Sequence, residues 1–359
     1  MNSIMRIERL RRRLEKTGRL PYLISDLINV GYLCGFRGSY GHLLVEEREA
    51  FLITDSRYEE YARSILAESI GFVLQKRDIN HTLRGLLKKA SGRRLFVEDH
   101  STNLGGFEAM KKALPSVRLL AGGDEVNSLR MVKEEGEIEM LRKAVGIADD
   151  CFAHLMGLVR PGILEWDISV EIEYFYRKNG CRKSSFDSIV ASGKGSSMPH
   201  YVSSMTKRIE PGEVLLIDMG CEYQGYNSDL TRTVFVNRLD ADFEKIYRIV
   251  RSAQESAISS IRPGATSGSI DRAAREVIGK AGYGWAFGHS LGHGLGLEVH
   301  ELPALRRGGT VRLKEGMAVT VEPGIYLPDR GGVRIEDVVL VTQQGCEILT
   351  GSSKDIHIL

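Results

Sequence analysis

The chain has no surplus of either charge: 49 lysines and arginines stand against 47 aspartates and glutamates, a formal net charge of +2. Electrostatics therefore give no reason to expect nucleic acid or an anionic membrane as partner. No apolar run approaches the roughly 20 residues that span a bilayer, and the charged first twenty residues lack the apolar core of a signal peptide. The default expectation is a cytoplasmic protein, with the basic stretch from Arg6 to Arg19 as a solvated helix face. Cysteine is sparse. Cys34, Cys151, Cys181, Cys221 and Cys346 are odd in number, scattered and without a Cys-x-x-Cys pair, which argues against a disulfide framework and for reduced, mostly buried thiols. The loop Gly193-Lys-Gly-Ser-Ser197 lacks the spacing of a phosphate-binding P-loop.

What is present is an ordinary globular composition, 42% hydrophobic and 27% charged over 359 residues, long enough for two domains. From Arg19 to about Leu120, short apolar runs (Tyr22–Ile24, Leu43–Val45, Phe51–Ile53, Leu95–Val97) alternate with charged, helix-like segments such as Ser56–Ser69. That alternation predicts a small α/β domain. Ala121–Ser128 reads as a connection, and Val132–Val159 then places Ile138, Leu141, Val145, Phe152, Leu155 and Val159 at helical spacing. The expected division is 1–126 and 127–359.

The second part repeats itself. Glu210-Pro-Gly-Glu-Val-Leu-Leu-Ile-Asp218 is echoed by Lys314-Glu-Gly-Met-Ala-Val-Thr-Val-Glu322, an offset of 104 for Gly212/Gly316 and for Asp218/Glu322. Arg160-Pro-Gly and Arg262-Pro-Gly end two helices at an offset of 102, as do Gly180 and Gly282. Each copy also carries a second acid before an apolar run, Asp229 and Glu336. We expect an α+β domain in which each half gives two helices and then antiparallel strands in a shared sheet, with the acids near a pseudo-two-fold axis. Four carboxylates packed face to face ionise together only where strong positive charge is supplied, and two divalent cations balance them.

Each of these residues also has an ordinary explanation. Asp218 and Asp229, eleven apart, suit a hairpin that returns one carboxylate beside the other, yet aspartate is also common in turns. Glu322 sits at the end of an apolar strand, where a salt bridge to Arg334 would account for it without a metal. His289, His293 and His300 fall within twelve residues, among glycines that let backbone approach closely, and three of the chain's nine histidines in one segment speak against chance. His293 is the choice for the single nitrogen ligand. His200, offset by 100 from His300, fits the repeat, although lone loop histidines are usually inert. Oxygen donors with one imidazole and no cysteine favour manganese, cobalt, iron or zinc over a structural zinc site.

The motifs Ile189-Val-Ala-Ser-Gly, Pro199-His200, Ile217-Asp-Met-Gly, Asn227-Ser-Asp-Leu-Thr-Arg-Thr233, Gly292-His-Gly-Leu-Gly-Leu-Glu-Val-His-Glu301, Val321-Glu-Pro-Gly-Ile-Tyr326 and Val333-Arg-Ile-Glu-Asp337 together resemble the creatinase and methionine-aminopeptidase superfamily of dinuclear metallopeptidases. Within it the chain is most similar to the Xaa-Pro aminopeptidase and prolidase branch. The resemblance covers nearly the whole chain and implies the pita-bread fold for residues 127–359, with a creatinase-type α/β domain before it. It further implies that Asp218, Asp229, His293, Glu322 and Glu336 ligate two divalent metal ions per subunit, manganese foremost, with Asp229 and Glu336 bridging or spanning them. By the same resemblance His200 and His300 sit over the substrate, His289 lines the pocket, Arg334 supports the carboxylates and Tyr326 stands near them.

The implied reaction is attack on the carbonyl before proline by a hydroxide bridging the metals, with His300 stabilising the oxyanion and Glu322 shuttling the proton. Proline's tertiary amide lacks an N–H and demands a dedicated pocket. The expected substrates are short proline-containing peptides and the expected assembly is a homodimer. Some dipeptidases of this branch carry an arginine soon after the His-Glu-x-Pro segment to hold the substrate's carboxylate. Here that region reads Pro303-Ala-Leu-Arg306-Arg307, which tilts the reading from Xaa-Pro dipeptidase to Xaa-Pro aminopeptidase. A metal-free creatinase-like C–N hydrolase and a non-catalytic peptide-binding module are the remote alternatives.

Overall fold

The computed structural model describes residues 3–87 and 94–359, which divide into two compact units, Met1–Arg130 and Met131–Leu359. Among its described residues the first unit has the α-helices α1 (Ser3–Thr17), α2 (Leu27–Cys34), α3 (Glu59–Ile65), α4 (Ile79–Leu86), α5 (Leu104–Ala113) and α6 (Glu125–Arg130). Its strands are β1 (Tyr22–Ile24), β2 (His42–Val45), β3 (Ala50–Thr54), β4 (Gly71–Leu74), β5 (Arg94–Val97) and β6 (Arg118–Ala121), in one sheet of order β4-β3-β2-β1-β5-β6. The β1–β2–β3 pairs are antiparallel and the outer pairs parallel. Leu23, Leu44, Ile53, Leu95 and Val97 supply the core, so the apolar runs of the sequence became its strands. Two local readings change. The expected connection Ala121–Ser128 runs into α6 from Glu125, and the basic first helix is not uniformly solvated. Arg6 and Arg11 are buried; Arg6 donates to Tyr32 O at 2.9 Å and lies 4.0 Å from that ring's centroid, while Arg11 donates to Glu46 O at 3.0 Å. Long stems bury while their heads find carbonyls.

The second unit contains α7 (Glu135–Met156), α8 (Glu165–Lys178), β7 (Lys183–Ser184), β8 (Ile189–Ser192), β9 (Val214–Met219), β10 (Cys221–Tyr223), β11 (Tyr226–Asn227) and β12 (Leu230–Phe235). It continues with α9 (Ala241–Ser259), α10 (Ser267–Lys280), β13 (Gly292–Gly294), β14 (Glu301–Leu305), β15 (Ala318–Val321), β16 (Gly324–Leu327), β17 (Gly331–Arg334), β18 (Asp337–Val341) and β19 (Cys346–Ile348). A capping box between Glu134 and Glu137 starts α7, and Asp240 caps α9. The repeat is physical. Gly162 N donates to Ile209 O at 2.8 Å as Gly264 N donates to Leu313 O at 2.9 Å, and both glycines take positive φ, +88° and +86°, a region where glycine costs least.

Each half has its own core. Phe152, Ile168, Ile172, Leu215, Ile217 and Val234 pack in the first, and Ile246, Val250, Ile270, Ile278, Val319 and Val339 in the second. The strands do not form one continuous sheet as expected. They form a β12-β9-β8 sheet, a β11-β10-β7 sheet and a β14-β13-β15-β18-β19 sheet, with the β16–β17 hairpin separate. The halves are stitched where β12 meets the chain before β18, by Glu336 N to Thr231 O at 3.1 Å and by Thr233 Oγ1 to Arg334 O at 3.0 Å.

Arg232 fills this seam at 1% exposure, donating to Ser352 O, Ser353 O and Glu336 O and pairing with Asp337 at 2.7 Å. Arg232→Ala leaves carbonyls and Asp337 Oδ1 without their donor inside the protein, with Lys354 still pairing Oδ2 at 2.7 Å. The expected loss is about 3–5 kcal/mol, read as a lower midpoint in urea unfolding; an unchanged midpoint would show that the seam contributes nothing. No helix among the described residues is long and apolar enough to cross a membrane.

Candidate active site

Strand pairing brings the four acids together. In the first half Asp218 lies in β9 opposite Thr231 of β12, and Asp229 immediately precedes β12 after the β10–β11 turn. In the second half Val321 pairs with Asp337, so Glu322 and Glu336 flank that pair as the chain leaves β15 and enters β18. His293 comes from β13, packed beside β15 and β14. Its neighbours must be glycine: a Cβ on Gly292 would stand 2.0 Å from Thr320 O, and one on Gly294 2.2 Å from Leu302 O.

These side chains open onto a cavity of about 520 Å³, within the size range of small-ligand sites. Asp218, Asp229, His293, Glu322, Glu336, His200, His289, His300 and Arg334 all line it. Tyr326 does not. It lies behind the wall, where its hydroxyl joins His289 Nε2 at 2.9 Å to Arg334 Nη1 at 2.9 Å. Among the described residues, Arg334 is the one lysine or arginine on the lining. Its guanidinium also donates to Asp218 Oδ2 at 2.6 Å, Thr231 Oγ1 at 3.0 Å and Pro199 O at 3.5 Å. Arg334 thus pairs with Asp218, and the expected alternative of an Arg334–Glu322 bridge is not the observed pairing. Glu322 instead faces His293 Nε2 at 3.4 Å and accepts from Thr320 Oγ1 at 3.3 Å.

The electrostatics follow from burial. Loss of water, then the charges of neighbouring acids, pushes Asp229 and Glu336 well above the usual carboxylate range, and Asp218 is raised by burial against the pull of Arg334. Burial also works to raise Glu322, but the hydrogen bond and charge of His293 outweigh it and hold this carboxyl below its ordinary value. Burial opposes a charge on His293 as well, yet Glu322 and Asp229 bring it up to about 9. His289 and His300 are lowered, first by burial.

Two observations test whether these residues suit a metal. His293 Nδ1 lies 3.1 Å from Gly294 O, a pure acceptor, so Nδ1 carries a hydrogen and Nε2 is the nitrogen turned towards Asp229 at 3.6 Å and Glu322 at 3.4 Å, where a metal would displace its proton. An imidazole nitrogen facing two carboxylates calls for positive charge between them, a proton in the metal-free protein or a cation in its place. Asp218 Oδ1 and Glu336 Oε1 are likewise buried without any hydrogen-bond partner. Ligand atoms of Asp229, His293 and Glu336 all lie within 4.8 Å of one another and can hold an ion. The donor set fits divalent metal.

Sequence reasoning missed the two threonines that orient the acids. Thr231 donates to Glu336 Oε2 at 2.7 Å while accepting from Arg334, and Thr320 links the His293 backbone N–H to Glu322. Both are fully buried in apolar strands, and a hydroxyl amid Val-Thr-Val or Leu-Thr-Arg was the available signal. Tyr326→Phe removes the junction between His289 and Arg334. It is expected to lower kcat/KM about tenfold with metal content unchanged; loss of metal in that variant would instead place the tyrosine among the groups that hold the ions.

The chain belongs to the metallopeptidase family M24, whose model matches residues 139–343, and a creatinase/prolidase N-terminal domain matches residues 6–132. It is 42% identical to an Xaa-Pro dipeptidase of Pyrococcus horikoshii over 258 residues, 72% of this chain and 73% of that protein. The structure of an Xaa-Pro dipeptidase from Bacillus anthracis superposes with a TM-score of 0.96 at 39% identity, covering 100% of both chains. That of an X-Pro aminopeptidase from Thermotoga maritima gives 0.90 at 36% identity, covering 98% of this chain and 99% of the other.

Proposed function

We propose that this metallopeptidase is an Xaa-Pro dipeptidase, hydrolysing the bond before a C-terminal proline with two divalent cations, manganese foremost. The observation that carries the metal-dependent chemistry is His293 Nε2 directed at Asp229 and Glu322 beside buried, unpartnered carboxylate oxygens. The relatives named as dipeptidases favour this substrate length over the aminopeptidase reading to which Ala304, Arg306 and Arg307 tilted the sequence. The aminopeptidase keeps one specific support, the Thermotoga maritima structure.

Asp218, Asp229, His293, Glu322 and Glu336 would hold the ions, which supply the Lewis acidity that activates water and polarises the scissile carbonyl. The rest is done by the protein. Glu322, held below its ordinary pKa, accepts the proton of the attacking water and returns it to the departing proline nitrogen. His300, whose ring centroid lies 4.3 Å from that of His293, and His200 on the opposite loop offer N–H donors to the developing oxyanion. His289 is held by Ser290 O at 2.8 Å on Nδ1, so Nε2 accepts from Tyr326 and the ring is fixed in the cavity wall. Arg334 keeps Asp218 oriented and draws Tyr326 against His289.

Hydrolysis of Ala-Pro and Ala-Pro-Ala, together with elemental analysis, decides between the readings. Two metal equivalents with cleavage of the dipeptide and at least about tenfold lower kcat/KM on the tripeptide are expected. Tripeptide cleavage without dipeptide cleavage would replace this proposal with the aminopeptidase.

A further inference from the structure

The two halves of the second unit share a backbone plan at the start of α8 and α10 but differ in one side chain. Glu165 N donates to Lys207 O at 3.1 Å and Ser267 N to Val311 O at 2.8 Å, and the isolated bridges Leu164–Arg208 and Thr266–Arg312 lie beside them. Glu165 and Ser267 therefore occupy equivalent places. The hydroxyl of Ser267 is buried without a hydrogen-bond partner. The carboxyl of Glu165, at 0% exposure, is fully engaged: Oε1 accepts from Ser192 N at 2.7 Å and Ser192 Oγ at 2.6 Å, and Oε2 from Tyr201 Oη at 2.9 Å and Ser204 N at 3.0 Å. The fold, which builds its second half without such a hub, does not require it. What distinguishes the first half is the segment those four bonds enclose, the loop from Ser192 to Ser204 that carries His200 and Tyr201 into the cavity wall. Ser196 fastens the same loop elsewhere, donating to Gly193 O at 2.6 Å and accepting from Gly332 N at 2.9 Å.

We propose that Glu165 is a positioning residue for catalysis, clamping both ends of the 192–204 loop so that His200 meets the substrate without first being ordered. This rests on the peptidase reading above, in which His200 contacts substrate. A loop that kept only its other ties, Ser196 to Gly332 N, Arg334 Nη1 to Pro199 O at 3.5 Å and Ser203 Oγ between Val190 N and Ser188 O, would sample more conformations around His200, and presenting the imidazole would then cost entropy at each turnover. In Glu165→Gln the amide nitrogen faces N–H donors with whichever half it turns to them, so one clamp opens while side-chain volume is kept.

The test is a double-mutant cycle with His200→Ala. Glu165→Gln is expected to lower kcat about 10–100-fold in the wild-type background, with KM changed less than about threefold and metal content intact. In the His200→Ala background the same change should cost less than about threefold, because the clamp acts through the histidine already removed. Wild-type kcat in Glu165→Gln, or a loss that multiplies fully with that of His200→Ala, overturns the proposal. Should Glu165→Gln fail to fold, Tyr201→Phe removes a single bond of the clamp and must show the same non-additivity. Backbone hydrogen exchange supplies a readout independent of activity: the amides of Ser192 and Ser204 should exchange at least about tenfold faster in the variant, and unchanged exchange sinks the clamp. A wild-type protein inert towards every Xaa-Pro peptide defeats the peptidase reading instead, and exchange alone then judges the clamp.

Discussion

Asp229→Asn is expected to abolish peptide hydrolysis, lowering kcat/KM by more than about 10³-fold, and to leave the purified protein with less than its full metal complement. The substitution keeps size and shape, so the loss is one of charge. Asp229 is 5% exposed, its pKa is raised by burial and by Asp218, and its Oδ2 lies 3.6 Å from Nε2 of His293. Removing a formal charge there removes one of the groups that would hold the ions, and the neutral amide oxygen is a weaker donor to a hard cation. Metal uptake should also be proton-linked: His293, brought up to about 9, must give up its proton to bind, so apparent affinity should rise from pH 6 towards pH 9 in the wild type. Calorimetric titration with Mn²⁺ and a dipeptide assay check both statements. Full turnover in Asp229→Asn, with circular dichroism unchanged, would falsify the assignment of this acid.

How far the sequence led can be traced through individual residues. The repeat was readable because its markers are backbone necessities: glycines at positive φ after Arg-Pro, and acids placed at the ends of apolar strands, survive as letters at a fixed offset. The first domain's inner strands were readable for the same reason, as runs with no polar interruption. Burial of Arg6 and Arg11 was not readable, since it depends on which carbonyls, Tyr32 O and Glu46 O, the folded chain brings within reach. The partner of Arg334 was also hidden. Proximity in sequence suggested Glu322, but strand register sets Arg334 beside Asp218, 116 residues away. Glu165 gave no signal at all, because its worth lies in four donors from a loop that begins 27 residues later, and a glutamate at a helix start reads as an ordinary first-turn acid.

Glu336→Gln is expected to raise the stability of the metal-free protein and lower that of the metal-loaded one. Glu336 is 1% exposed; Oε2 accepts from Thr231, while Oε1 is buried with no partner and faces the charges of Asp229, Glu322 and Asp218. Its folded pKa is therefore raised, so its contribution to stability is complete below the unfolded value near 4.3 and is lost as pH climbs towards the folded value. In chelator the wild type should weaken from about pH 5 to pH 8 relative to the variant, whose amide carries no charge and can donate a hydrogen bond to Asp229. At pH 8 the variant should be more stable by roughly 1–3 kcal/mol, a rise of several degrees in melting temperature, with the gap closing near pH 5. Saturating Mn²⁺ should invert the order, because a ligand at 100 times its Kd adds about 2.7 kcal/mol and the wild type binds it more tightly. Thermal unfolding at pH 5 and pH 8, with chelator and with Mn²⁺, measures all four quantities. A wild type that melts at or above the variant in chelator at pH 8 would mean that the four acids tolerate one another unaided, and paired cations would not be needed to hold them together.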